Sequence, residues 1–152
     1  MSPYFSNSFV DANFFDKTDP VEDKAVDDIL ELANNGKISL LIPYSVKYEI
    51  EHPNTPTDVK SKAAKLIYSI EVKLNSNEIT TRQQVQKILQ GNCLEGKHKN
   101  DAFHVVESEK CGGNFFITKD QRLLDKAGEI RKILPIEILK PSEYLIVCGF
   151  YI

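Results

Sequence analysis

The chain has 152 residues, 41% of them hydrophobic, and 22 acids against 19 Lys and Arg for a net charge of -3. That length suits one domain with a single sizeable core, residues 1–152 as a unit. Three features exclude membrane and secreted classes: no apolar run long enough to span a bilayer, no basic-then-apolar leader in "MSPYFSNSFV", and three scattered cysteines (Cys93, Cys111, Cys148) that form neither a disulfide framework nor a C-x-x-C pair.

A reduced, cytoplasmic protein is therefore expected. Its charge is uneven: residues 1–31 hold eight acids against two lysines, whereas the remainder holds 14 acids against 17 basic residues. A local basic surface is compatible with the acidic total.

In chain order, "SFVDANFF" (8–15) reads as a buried strand end at Val10 to Ala12 with one acid, Asp11, inside it. "DPVEDKAVDDILELANNG" is a helix: Asp19 can cap it, Pro20 suits its first position, Glu22 sits where a capping box wants an acid, and Gly36 stops it. "ISLLIP" (38–43) is a near-continuous apolar run, as in a strand covered on both faces. Pro43 opens a short helical stretch, "YSVKYEIEH". "TPTDVKSKAAKLIYSIEVKL" reads as a second capped helix with Thr55, Pro56 and Asp58 at its start, "TTRQQVQKILQG" as a third, and "KHKNDAFHVVESEKCGG" as a fourth. "NFFIT" (114–118) is a buried strand followed directly by the helix "DQRLLDKAG". "IEIL" (136–139) is a last strand before the closing "KPSEYLIVCGFYI". Strands alternate with helices, which predicts an α/β domain with a mainly parallel four- to five-stranded sheet flanked by helices.

In such sheets ligands gather outside the carboxyl ends of the strands. Asp11 ends the first strand, and Asp120 follows "NFFIT" by two residues. Glu49 and Asp101 sit on helices, each at the edge of an apolar face. Asp11 alone could be a strand-end cap, Asp120 a helix cap, Asp101 a first-turn acid favoured by the helix dipole and Glu49 half of a surface pair with Lys47. Four carboxylates on four elements that converged would repel one another, and a divalent cation would offset that. Oxygen ligands favour Mg²⁺ or Mn²⁺ over zinc, and the spacing of His52, His98 and His104 fits no zinc motif. His104 is expected to be a packed residue or a support for the site.

With these pieces, "FVDANFF", "LIPYSVKYEI", "KNDAFHVV" and "FFITKDQRLL", in this order, and with "KPSEYL" near the end, the chain resembles the PIN-domain ribonucleases, which include VapC-type toxins of toxin–antitoxin pairs. The resemblance implies a single PIN-like domain and Mg²⁺- or Mn²⁺-dependent hydrolysis of RNA phosphodiester bonds. It assigns Asp11, Glu49, Asp101 and Asp120 as catalytic metal-holding acids, with Thr118 and Asn13 supporting them. It also implies an RNA substrate, a cognate antitoxin protein as partner, and a homodimer. Lys97, Lys99, Lys119 and Arg122 flank two of the acids and are expected to hold substrate phosphates. Lys60, Lys62 and Lys65 form a further basic patch. Two other functions compete. A haloacid-dehalogenase-like phosphatase or phospho-acceptor domain also ends its first strand in Asp, but the phosphatases want a second acid two residues later, where this chain has Asn13. A PIN-like binding module without catalysis would not need all four acids.

Overall fold

The computed structural model describes residues 2–91 and 98–149, so Cys93 and Lys97 lie outside the described residues. Five strands form one all-parallel sheet: β1 (Asn7–Val10), β2 (Ser39–Ile42), β3 (Ile67–Tyr68), β4 (Gly113–Ile117) and β5 (Glu137–Leu139), in the order β3-β2-β1-β4-β5. The helices are α1 (Pro20–Asn34), α2 (Lys47–Ile50), α3 (Thr57–Ala63), α4 (Ser76–Gln90), α5 (Lys99–Lys110), α6 (Gln121–Asp125), α7 (Ala127–Arg131) and α8 (Pro141–Val147). No helix among the described residues is long and apolar enough to cross a membrane.

The core lies on both faces of the sheet because successive strand residues point opposite ways. Val10, Phe115 and Ile117 face one cluster, built with Val26 and Ile29 of α1, Val59 of α3 and Tyr144 of α8. Phe9 and Phe116 face the other, with Val85 and Leu89 of α4, Val105 of α5 and Ile130 of α7. This two-sided burial explains why "NFFI" and "SLLI" read as unbroken apolar runs.

From β1 the chain steps outward to β2 and β3, then returns to lay β4 on the other side of β1. The crevice between the carboxyl ends of β1 and β4 is thus the point where strand order reverses, the usual ligand position in open parallel sheets. Asp11 and Thr118 are the first residues past those two strands.

Several local expectations shift. The helix read over 55–74 stops at Ala63, and Ile67–Tyr68 pair with Leu41–Ile42 as the edge strand. Sheet pairing of a β-branched and an aromatic residue outweighs helical periodicity there. Thr55 does not cap α3; its hydroxyl donates to the Glu49 carbonyl at 2.7 Å. α4 starts at Ser76, behind a reciprocal capping box of Asn75 and Glu78. Asp19 does cap α1, accepting from Glu22 N–H at 3.0 Å, but the Glu22 carboxylate accepts from Ser142 N–H at the start of α8 instead of closing a box. The stretch "DQRLLDKAG" divides into α6 and α7 at Lys126.

Gly113 opens β4 where space is tightest. A Cβ there would stand 2.6 Å from both the Phe9 ring and the Ser108 carbonyl oxygen, whereas one on Gly128 in α7 would meet nothing within 4 Å. Gly113→Ala should lower unfolding stability by ~1–3 kcal/mol through overpacking. Gly128→Ala should raise it by ~0.5–1 kcal/mol through helix propensity, both read from urea unfolding midpoints.

Candidate functional site

Asp11 is only 6% exposed. Its backbone is still extended, and it starts the 3-10 turn Ala12–Phe15, with Oδ1 accepting from Phe14 N–H at 3.3 Å. The other oxygen faces Thr118, which is fully buried just past β4. Thr118 Oγ1 donates to Asp11 Oδ2 at 2.6 Å. Asn13 Oδ1 stands 3.0 Å from the same hydroxyl and accepts from Lys119 N–H at 3.0 Å. A threonine hydroxyl has one proton to give. The shorter, charge-assisted contact to Asp11 takes it, and the Lys119 amide satisfies Asn13. Thr118 Oγ1 in turn accepts from Asp120 N–H at 3.0 Å. One hydroxyl thus joins Asp11 to the backbone of Asp120, and Asn13 pins the neighbouring amide.

Asp120 caps α6, its Oδ1 accepting from Arg122 N–H at 2.9 Å and Leu123 N–H at 3.4 Å. Asp101 lies in the first turn of α5, with Oδ2 3.4 Å from His98 Nδ1. Glu49 projects from α2, a helix of four residues, and its Oε1 is 3.0 Å from Nε2 of the buried His104.

The acids share one electrostatic field. Burial pushes the Asp11 carboxyl well above its ordinary 3.8, the Thr118 hydrogen bond pulls it back in part, and the Asp120 and Asp101 charges raise it further. Burial likewise raises Asp101, the His98 contact lowers it, and the Asp120 and Glu49 charges raise it. Asp11, Asp120, Asp101 and Glu49 are therefore linked in sequence by mutual repulsion. Among the described residues no group of three or more His, Cys, Asp or Glu side chains is placed to hold a metal ion. In donor type alone the four carboxylates are of the kind that Mg²⁺ and Mn²⁺ take. The four acids supply only oxygen, and Mg²⁺ is commonly held by one or two carboxylates with several waters retained.

The expected substrate cations divide. Lys99 is exposed as the first residue of α5, two positions before Asp101. Arg122 is half-buried in α6, and its guanidinium reaches the Gly91 turn that ends α4. Lys119 is a correction: its ammonium is turned inward to the Asp16 carbonyl and to Asp23 of α1 (2.8 Å), and its side chain is 5% exposed. That bond holds Asp23 below the ordinary carboxylate range. Lys119 fastens α1 to the end of β4 and is not placed to meet a phosphate. Of the further basic patch, Lys62 faces Asp27 of α1 at 3.7 Å.

Ser45 and Glu107 were not singled out from the sequence. Ser45 lies in the 3-10 turn Tyr44–Val46, and its Oγ contacts His104 Nδ1 at 2.6 Å and Glu107 Oε1 at 2.8 Å. The available signal was an acid, Glu107, inside the apolar run of α5, one turn after His104. No protein-family model matches the chain, and no curated protein matches it either.

The raised Asp11 carboxyl has a definite sign. In the folded state its proton is held more tightly, so its contribution to stability is complete below 3.8 and is lost as pH rises through the raised value. In chelator, Asp11→Asn should therefore unfold later than the wild type at neutral pH. The gap in thermal midpoints should close as pH falls below 3.8.

Proposed function

We propose that this chain is a Mg²⁺- or Mn²⁺-dependent endoribonuclease. The observation that supports the reading is a buried Asp11 at the end of β1, bonded to Thr118 at the end of β4 and within reach of the Asp120 and Asp101 charges, with Asp101 in turn within reach of Asp120 and Glu49. A protein that used this crevice only for packing would gain nothing from burying Asp11 and Asp101 near other acids. The resemblance of "FVDANFF", "KNDAFHVV" and "FFITKDQRLL" to the PIN-domain ribonucleases supports the same reading and supplies its substrate class.

A divalent ion held by these acids supplies activation of a water for attack on phosphorus and neutralises charge on the phosphate oxygens. Asp11, Asp101 and Asp120 would hold the ion. Thr118 fixes the Asp11 rotamer through its 2.6 Å bond, and Asn13 holds the Lys119 amide so that Asp120 keeps its place. Glu49, the most exposed of the four, orients the attacking water. Lys99 and Arg122 are the cations proposed to take phosphates 5′ or 3′ to the scissile bond. The reaction leaves a 5′-phosphate and a 3′-hydroxyl.

The biological role we propose is the toxin of a toxin–antitoxin pair, working as a homodimer and restrained by a protein antitoxin laid across the crevice. The phosphatase alternative gains no support. The side chain two residues after Asp11 is an amide turned toward Thr118 and the Lys119 backbone, not an acid available to a leaving group.

Purified protein should cleave single-stranded RNA with Mn²⁺ and not with chelator. Asp11→Asn and Asp101→Asn should each reduce the rate by ~100-fold or more, the scale of losing a principal electrostatic group. Mn²⁺ should raise the thermal midpoint of the wild type and not that of Asp11→Asn. Cleavage that persists in Asp11→Asn would remove the crevice from the mechanism.

A further inference from the structure

A buried chain of polar groups runs behind Glu49. Glu107, 1% exposed, accepts at Oε1 from Ser45 N–H at 3.0 Å and from Ser45 Oγ at 2.8 Å. With its one proton given to Glu107, the Ser45 hydroxyl presents lone pairs to His104. The proton in the 2.6 Å contact between them must then come from His104 Nδ1. Nε2, on the far side of the ring, donates to Glu49 Oε1 at 3.0 Å, so in this arrangement both ring nitrogens carry a proton and the ring is an imidazolium between Ser45 and the Glu49 carboxylate. The ring itself is held in place: His104 is 4% exposed, and its carbonyl accepts from Ser108 Oγ at 2.7 Å.

We infer that His104 is a positioning residue, braced by Ser45 and Glu107, that sets the direction of the Glu49 carboxylate across the crevice. This rests on the proposed metal-dependent reading for the use Glu49 is put to, but not for the bracing itself. The need for such a brace is physical. Glu49 is on a four-residue helix with no side-chain cap, and its side chain is 45% exposed. Free rotation of such a side chain would cost ordering entropy each time it engaged a ligand. A buried imidazolium bonded to one oxygen removes that freedom beforehand and leaves Oε2 for the crevice. The bracing also joins two walls of the site, since Ser45 and Glu49 come from the segment after β2 and His104 and Glu107 from α5.

The same groups do not form a nucleophilic triad. The Ser45 proton is directed to Glu107 and both ring nitrogens are engaged, so no base is available to activate the hydroxyl.

The test uses the full chain. Without metal, the Glu49 carboxyl carbon is followed by NMR, assigned by its loss in Glu49→Gln. Mn²⁺ affinity is read from the free-ion EPR signal. Ser45→Ala and His104→Leu should both shift the Glu49 carboxyl resonance, although Ser45 Oγ bonds only to His104 and Glu107 in this chain of contacts. His104→Leu should weaken Mn²⁺ binding by ~10–100-fold, the range for partners that orient a metal ligand. His104→Gln, whose amide can donate where Nε2 stood, should recover most of that loss, and Glu107→Gln serves as an isosteric check should His104→Leu unfold. An unmoved Glu49 resonance in Ser45→Ala and Glu107→Gln would overturn the inference. So would wild-type Mn²⁺ affinity in His104→Leu when Glu49→Gln has lost it. If wild type and Glu49→Gln bind Mn²⁺ alike, the metal role of Glu49 fails, and the resonance shifts alone decide the positioning role.

Discussion

The site depends on one hydrogen bond, from the Thr118 hydroxyl to the Asp11 carboxylate. It spans the two strands between which the sheet reverses its order, and it is the main compensation for a carboxylate that burial would otherwise keep protonated. Everything else in the crevice is set relative to it. Asp120 is hung from the same hydroxyl through its amide, α6 starts from the Asp120 carboxylate, and Asn13 holds the intervening amide. Exchanging the hydroxyl for a methyl group would leave the strands paired but strip the Asp120 amide of its acceptor. It would also remove the partner that fixes the Asp11 rotamer.

The acid-rich first helix has a structural explanation that its composition hides. Asp19 caps its own helix, Glu22 holds the first turn of α8, Asp23 receives the Lys119 ammonium, and Asp27 faces Lys62. These acids clamp α1 to α8, to the end of β4 and to α3. The negative charge of residues 1–31 is therefore partly answered inside the fold, and the net charge of -3 is a poor guide to the surface around the crevice.

The fold was legible where burial and periodicity agree. "SLLI" and "NFFI" have apolar residues on both sides because both sheet faces are covered, and α1 and α5 show their stripes and stops. It was less legible at Leu66–Tyr68, where a helical pattern runs on but the exposed sheet edge captures the chain. Asp11, Asp120 and Asp101 were readable as strand-end and helix-start residues because strand ends and helix starts carry recognisable caps and breaks. Ser45 and Glu107 were not, because their meaning is a contact between segments 59 and 62 residues apart in sequence. Lys119 was misread for the converse reason: proximity to Asp120 in sequence says nothing about which way an ammonium turns.

The shortness of α2 has a consequence for how the site could change. Four residues make barely one turn, too little to nucleate or hold a helix unaided. Glu49 thus behaves like the tip of a cantilever, stiff only because Thr55 ties its carbonyl on one side and His104 its carboxylate on the other. Loosening either tether would free the Glu49 segment without touching the Asp11–Thr118 bond. The Glu49 arm and the Asp11–Thr118 floor are held by separate sets of bonds, so one can change while the other stays.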